Sequence, residues 1–460
     1  MGITADLCAR IVETRYADLG AEARRAARAL VLDGIATGFA GACEETAPAL
    51  LAQYWRDQAA APQSTVIGFD YRTTPYAAAY VNGAAMHVLD YEPMWSPANH
   101  ALSTTLPTVL ALAEAQGLDG AEATAALIKG CEIQGWIRVA SRAFEPKDLT
   151  FHPPGLVGAF GAAVAAGHLL KLDAARLAHA LGLAGSRTGS LLANVGTMAK
   201  STHCGLAGAL GLEAAMLAAR GFTANTAIFE DPRGYAATFA PDRFVLDDLR
   251  RFGPPFRVVD PGYAIKMFPS QYGTHFAITA ALSARARIAD PAAIMAVTIN
   301  TPVMPYIDRP APATGLDGKF SFQYTTACAL LDGAVGIASF TDQRRFSADI
   351  ERLLAATTLV QSPAIPASFE TMHVTVSVRL ADGRVVDARC DKPRGIFGGP
   401  PLAPQDHERK VQDCLARGLT DQAIAEVMEL TSRFDSLDAA GIRRLMALTA
   451  SPSPRSRRHG

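Results

Sequence analysis

The 460-residue chain has no charge of one sign to spare. It carries 43 basic residues against 44 acidic ones, a formal net charge of −1. No basic face for nucleic acid and no charged interaction tail is therefore expected. Cysteine is sparse and scattered, at Cys8, Cys43, Cys131, Cys204, Cys328, Cys390 and Cys414, and no two are spaced as Cys-x-x-Cys. That removes zinc-finger and iron–sulfur spacing and points to free thiols in a reducing compartment, the cytoplasm. The first turns hold Asp6, Arg10, Glu13 and Arg15 and no signal-type apolar core. The most uniformly apolar stretch, Pro153 to Gly167, is too short and glycine-rich to span a bilayer. A Gly-x-Gly-x-x-Gly turn after a strand, a Walker lysine, a Gly-x-Ser-x-Gly elbow and His-Glu-x-x-His are all missing. Nucleotide, serine-hydrolase and metal chemistry are disfavoured on that spacing, so no metal is expected.

What is present is alanine, leucine and glycine in helical register. Segments such as "AEARRAARALVLDGIATGF" from Ala21 and "GLAGALGLEAAMLAARG" from Gly205 predict a compact multi-helix domain over residues 1–265. "LPTVLALAEAQG" follows Ser103 and Thr104, which predict a helix cap there, with Gly117 as the stop. The pattern changes after Tyr263. Ile294 to Pro302 reads as a strand. Met372 to Leu380 alternates strictly and then turns through Ala-Asp-Gly into a hairpin. Residues 266–400 thus form an α+β unit with an antiparallel sheet. Helical patterns resume over residues 401–450 and are expected to return to the first domain, leaving residues 451–460 as a disordered tail. The fold class is mainly α with a smaller α+β part.

The polar segment "LDYEPMWSPANH" interrupts this helical texture and holds Asp90 and His100 just before a helix. His152 in "TFHPPG", Lys200 and His203 in "GTMAKSTHCG", and Lys266 and His275 in "IKMFPSQYGTH" sit in the same way. Helix N-termini favour anions, so a His or Lys there is poised for a carboxylate or phosphate. Only eight lysines stand against 35 arginines. Lys200 and Lys266 lie among apolar residues and are either paired with a fixed acid or waiting for an anionic ligand, whereas Lys147 and Lys410 read as solvated. His168 and His179, inside helices, read as structural. Trp95 and Tyr91 either wall a cleft or anchor their loop.

The stretches "NGAAMHVLDYEP", "NHALSTTLPTVLALAE", "FHPPGLVGAFGAAVAAG", "GTMAKSTHCGLAG", "IKMFPSQYGTH" and "GKFSFQYTTACAL" follow one another in the order seen in the MmgE/PrpD family, which the chain resembles from about Leu7 to Leu448. That family includes 2-methylcitrate dehydratase, cis-aconitate decarboxylase and iminodisuccinate epimerase. The resemblance implies a helical domain built from both chain ends, an α+β lid, a homodimer, and a cofactor-free cleft for small di- or tricarboxylates. It implies catalytic roles for Asp90, His100, His152, Lys200, Lys266 and Tyr324. His203, Met94, Trp95 and His275 would contact substrate. Dehydration by proton removal next to a carboxylate is the first expectation. Decarboxylation, epimerisation or an inactive helical scaffold are the alternatives. Pro93 and Met94 depart from the acid and hydroxyl residue common in relatives, and Met94 offers no strong hydrogen bond.

Overall fold

Alanine-rich sequence makes helices that can pack closely, and the amino-terminal half is built from ten of them. In the computed structural model, which describes residues 2–144, 149–399 and 402–450, these are α1 (Ile3–Glu13), α2 (Ala21–Glu44), α3 (Thr46–Asp57), α4 (Pro75–Val88), α5 (Ala101–Gln116), α6 (Gly120–Ala140), α7 (Pro153–Leu169), α8 (Ala174–Gly185), α9 (Ala199–Ala219) and α10 (Tyr235–Phe239). A two-residue hairpin, β1 (Ser64–Thr65) and β2 (Arg72–Thr73), lies between α3 and α4. Local chemistry sets several starts: the Thr74, Asp119 and Asp173 side chains each accept a backbone N–H in the first turn of α4, α6 and α8. α5 departs from the sequence expectation. It begins at Ala101, with His100 at the cap position and no side-chain cap bond. Ser103 and Thr104 lie inside the helix instead, and their hydroxyls donate to Glu92 and to Gln134. Tertiary partners therefore outcompeted the capping preference. Gly117 ends the helix with φ +65°, as expected.

α4 and α9 cross at two glycines. A Cβ on Gly205 would stand 2.0 Å from the Tyr80 carbonyl oxygen, and one on Gly83 would stand 2.7 Å from the Gly205 Cα. Backbone meets backbone here, so the crossing fixes how far apart the side chains of the two helices sit. By length and composition alone, α2 and α9 could cross a membrane, but 72% and 61% of those windows are buried inside the protein.

The second unit holds α11 (Tyr272–Arg285), β3 (Ile294–Thr301), α12 (Gly315–Gly318), α13 (Phe322–Asp332), α14 (Asp342–Arg345), α15 (Ala348–Ala355), β4 (Thr357–Gln361), β5 (Val374–Leu380) and β6 (Val385–Cys390). Its sheet runs β4-β3-β5-β6. The β3–β5 and β5–β6 pairs are antiparallel, with Val374, Val376, Val378 and Leu380 buried as the alternation predicts. β4 is an added edge strand parallel to β3, so the sheet is mixed. A long helical crossover through α12–α15 separates the two strands, which is what parallel pairing requires. α11 packs against β5, β6 and α13.

α16 (Pro404–Leu415) and α17 (Asp421–Ser432) pack on α2, and α18 (Ala439–Thr449) packs on α5. Val411, Val427, Leu445 and Met446 join the core of the first unit. Lys410 corrects the sequence reading: it is buried, not solvated, and its Nζ donates to Asp33 at 2.7 Å. Neighbouring charges in the sequence point elsewhere along α16, while Lys410 shares the face that carries Val411 and Cys414. Lys147 and the expected disordered tail lie outside the described residues.

Gly205→Ala is expected to lower the unfolding free energy by about 2 kcal/mol through overpacking at the α4–α9 crossing. Urea denaturation measures it, and an unchanged midpoint would show that the helices part freely.

Candidate active site

The site forms where the two cores meet. Seven stretches contribute: the loop after α4, residues 149–153 at the α7 start, residues 192–200 at the α9 start, residues 266–272 at the α11 start, Tyr306, Phe320 and Phe369. Together they line a cavity of about 570 Å³ including its mouth. Asp90, His100, His152, Lys200, Lys266 and Met94, chosen from sequence, all lie in its wall.

Asp90 is the hub. Its backbone is left-handed at φ +52°, a conformation Asp tolerates better than most non-glycine residues. Lys200 Nζ donates to its Oδ2 at 2.8 Å, and Lys266 Nζ donates to its Oδ1 and, at 3.0 Å, to its carbonyl. Both lysines therefore meet a fixed acid, the alternative the sequence left open. Burial alone would raise the Asp90 carboxyl, but the two ammoniums hold it well below the usual carboxylate range. Burial lowers Lys266, opposed by Asp90.

A second acid, Glu92, organises the imidazoles. Its Oε1 receives His87 Nδ1 at 2.5 Å and the Ser103 hydroxyl at 3.1 Å, and His100 Nδ1 lies 3.0 Å away. Lys200 Nζ also stands 2.8 Å from His87 Nε2. An ammonium can only donate, so Nε2 accepts and the proton of His87 sits on Nδ1, facing Glu92. Burial and then Lys200 push His87 down to about 3, and the same two causes hold His152 well below its ordinary value. His203 Nδ1 lies 3.2 Å from His152 Nδ1, and burial with Lys200 lowers it to about 4. The rings of His87 and His100 are 4.5 Å apart at their centres, and His87 and His152 are 5.3 Å apart. Burial raises Glu92, but His87 and His100 outweigh it and keep the group well below the carboxylate range.

These groups include donors whose linear spacing hid them as a set. One ring nitrogen each from His87, His100 and His152 lie within 4.8 Å of one another, as do donor atoms of Asp90, Glu92 and His100. A dication bound there would face the Lys200 ammonium, already 2.8 Å from His87 Nε2 and from Asp90 Oδ2. The donor chemistry fits proton handling better than it fits a resident cation.

Four expected contacts, Tyr324, Trp95, His275 and His203, fall outside the cavity wall. Tyr324 is fully buried in the second core, where its hydroxyl donates to the Ser339 carbonyl at 2.5 Å. Trp95 lies outside the cavity wall against Tyr263, ring centres 5.6 Å apart, and Tyr91 packs beneath Lys410 at 4.2 Å; both anchor their loop. His275 is buried between Phe268 and Tyr272, behind the wall. Each side chain follows the facing of its own helix or turn, which a motif does not specify. His203 touches His152 without lining the cavity. His168, read as structural, is half-buried with Nδ1 3.0 Å from Lys129 Nζ.

Sequence reasoning missed Glu92, Tyr272 and Tyr306. Glu92 could have been found, since it lies five residues beyond His87 in the same polar run. Tyr272 and Tyr306 line the cavity from the second unit. The Tyr306 hydroxyl accepts from Gln271 Nε2 at 2.6 Å, while the buried Tyr272 hydroxyl has no partner among the described residues.

Fold and site thus define a two-core, mainly helical protein with an acid–base cavity at the seam. Residues 5–245 match the MmgE/PrpD N-terminal domain, and residues 268–433 match the MmgE/PrpD C-terminal domain. Cis-aconitate decarboxylase of Mus musculus is 30% identical over 438 residues, covering 92% of this chain and 88% of that protein. The Homo sapiens cis-aconitate decarboxylase is 30% identical over 439 residues, covering 92% and 90%. That of Aspergillus terreus is 25% identical over 471 residues, covering 95% and 94%. The chain belongs to the MmgE/PrpD family.

The depressed His203 gives a pH prediction. Its folded value, about 4, lies below the ordinary 6.5, so its contribution to stability is fully present above pH 6.5 and is lost as pH falls towards 4. His203→Asn should flatten the dependence of the urea midpoint on pH between 6.5 and 4. An identical slope in the variant would contradict this.

Proposed function

We propose that the protein is a carboxy-lyase that removes one carboxylate from a small unsaturated polycarboxylate of the cis-aconitate type. The observation that carries this reading is the charge balance of the cavity wall. Two ammoniums, Lys200 and Lys266, share one wall carboxylate, Asp90, beside the imidazoles of His100 and His152. The wall keeps a cationic excess for an incoming carboxylate, and the imidazoles supply proton transfer next to it. The relatives at 30% identity carry the name of a decarboxylase, which favours this chemistry over dehydration.

In such a reaction the bond to the departing carboxylate breaks, and its electron pair forms a new carbon–carbon double bond. The former double bond shifts its pair to the far carbon, which takes up a proton. The products are carbon dioxide and an unsaturated acid with one carboxylate fewer. The protein must hold the remaining carboxylates and deliver that proton. Lys200 does the first with the N–H that Asp90 and His87 leave unengaged, and Lys266, whose three N–H groups go to Asp90 and the Ser270 carbonyl, contributes its charge. We assign the second to His100, because it lines the cavity with Glu92 3.0 Å from its Nδ1 and Asp90 3.9 Å from its Nε2, so that a carboxylate stands beside each ring nitrogen and orients the imidazole. His87 and His152 are poorer donors, since burial and Lys200 disfavour their charged forms. Met94 occupies the wall without a strong hydrogen-bonding group, which suits a substrate with no hydroxyl to expel.

Incubation with cis-aconitate in deuterated water, followed by NMR and carbon dioxide release, tests the proposal. The expected result is loss of one carboxylate with one deuterium incorporated. His100→Gln and Lys200→Met should each lower kcat by about a hundredfold or more. Water loss from a hydroxy-tricarboxylate, with no carbon dioxide from cis-aconitate, would replace this reading with a dehydratase.

A further inference from the structure

The loop that carries Asp90 and Glu92 is fixed from the far end of the chain. On α2, Asp33 is fully buried. On α16, Lys410 is 4% exposed, and its Nζ donates to Asp33 Oδ2 at 2.7 Å. The same ammonium donates to the Tyr91 carbonyl at 2.9 Å and lies 4.2 Å from the centre of the Tyr91 ring. Tyr91 is the residue between the two acids of the site. Its neighbour Asp90 holds a left-handed backbone, and Glu92 orients His87 and His100. The same Asp33 oxygen, Oδ2, also lies 2.9 Å from His407 Nε2.

We infer that Lys410, held by Asp33, is a positioning residue for the site: its ammonium pins the Tyr91 carbonyl and so sets the relative placement of the Asp90 and Glu92 carboxylates. A buried ammonium with a fixed counter-ion is a stiff anchor, because letting go leaves a charge and a carbonyl without partners in a dry interior. Both acids are gripped from the other side, Asp90 by Lys200 and Lys266 and Glu92 by His87 and Ser103. Lys410 supplies the backbone hold between them. It comes from a helix encoded more than 300 residues later, so the C-terminal helices would shape the chemistry as well as complete the core. The kinetic part of this inference rests on the proposed lyase activity; the structural part does not.

Two readouts on the full chain separate them. In Lys410→Met, amide hydrogen exchange over residues 90–95 should rise at least tenfold. With cis-aconitate, kcat should fall about tenfold or more while KM stays within about threefold, as expected when reacting groups are misplaced but binding survives. His407→Gln, which removes the other partner of Asp33 and, among the described residues, has no hydrogen bond to the loop, is the control: it should lower thermal stability and leave loop exchange and kcat within twofold of wild type. Should Lys410→Met fail to fold, Asp33→Asn, which leaves the ammonium without its counter-ion, should show the same changes. Unchanged exchange in the loop, or an equal loss in His407→Gln, would overturn the inference. If wild type releases no carbon dioxide, the lyase reading fails and the exchange comparison still decides the role of Lys410.

Discussion

One buried carboxylate shared by two ammoniums governs this structure. Asp90 draws Lys200 from the start of α9 and Lys266 from the loop before α11, so it ties the first core to the entrance of the second. A buried ion is costly unless its partners are well placed, and three charges in one pocket are more demanding than two. The backbone must therefore bring distant segments to fixed positions before the network can form. That requirement accounts for the left-handed turn at Asp90 and for the polar loop that breaks an otherwise apolar run of helices.

Helix packing meets the requirement. Gly83 and Gly205 let α4 and α9 approach to backbone contact, which places His87 on one helix 2.8 Å from Lys200 on the other. The Lys200 ammonium then fixes the proton of His87 on the nitrogen that faces Glu92. Glu92 in turn reaches Ser103 on α5 and lies beside His100 at its start. Small residues at a crossing thus decide the tautomer of an imidazole about one turn away. Packing and electrostatics are one chain of cause here.

Much of the architecture was legible in the sequence because it rests on local pattern. The strand at Val374–Leu380 declared itself by alternation, and the Gly117 stop by its turn chemistry. β4 did not, since an edge strand half open to solvent carries no strict alternation and its pairing with β3 is parallel. The site was legible in part. Asp90, His100, His152, Lys200 and Lys266 stand in polar, glycine- or proline-rich interruptions, and such interruptions are where cavities form. Tyr324 was misleading because a hydroxyl in a motif says nothing of the direction it faces; it turns to the Ser339 carbonyl, while Tyr272 and Tyr306 reach the cavity. Lys410 was misleading because its charged neighbours in sequence hid the buried face of its helix.

The sequence by itself determined the helical texture, the change to strands after Tyr263, the return of the C-terminal helices as needing a core to join, and the short roster of residues able to move protons or hold carboxylates. These follow from periodicity, turn chemistry and side-chain type, all of which act over a few residues. Only the tertiary structure decided that both lysines meet the same acid, that Glu92 commands the imidazoles, and that a lysine near the chain end grips the loop between the two acids. Those facts depend on which faces of distant helices touch, and long-range packing, not local preference, sets that.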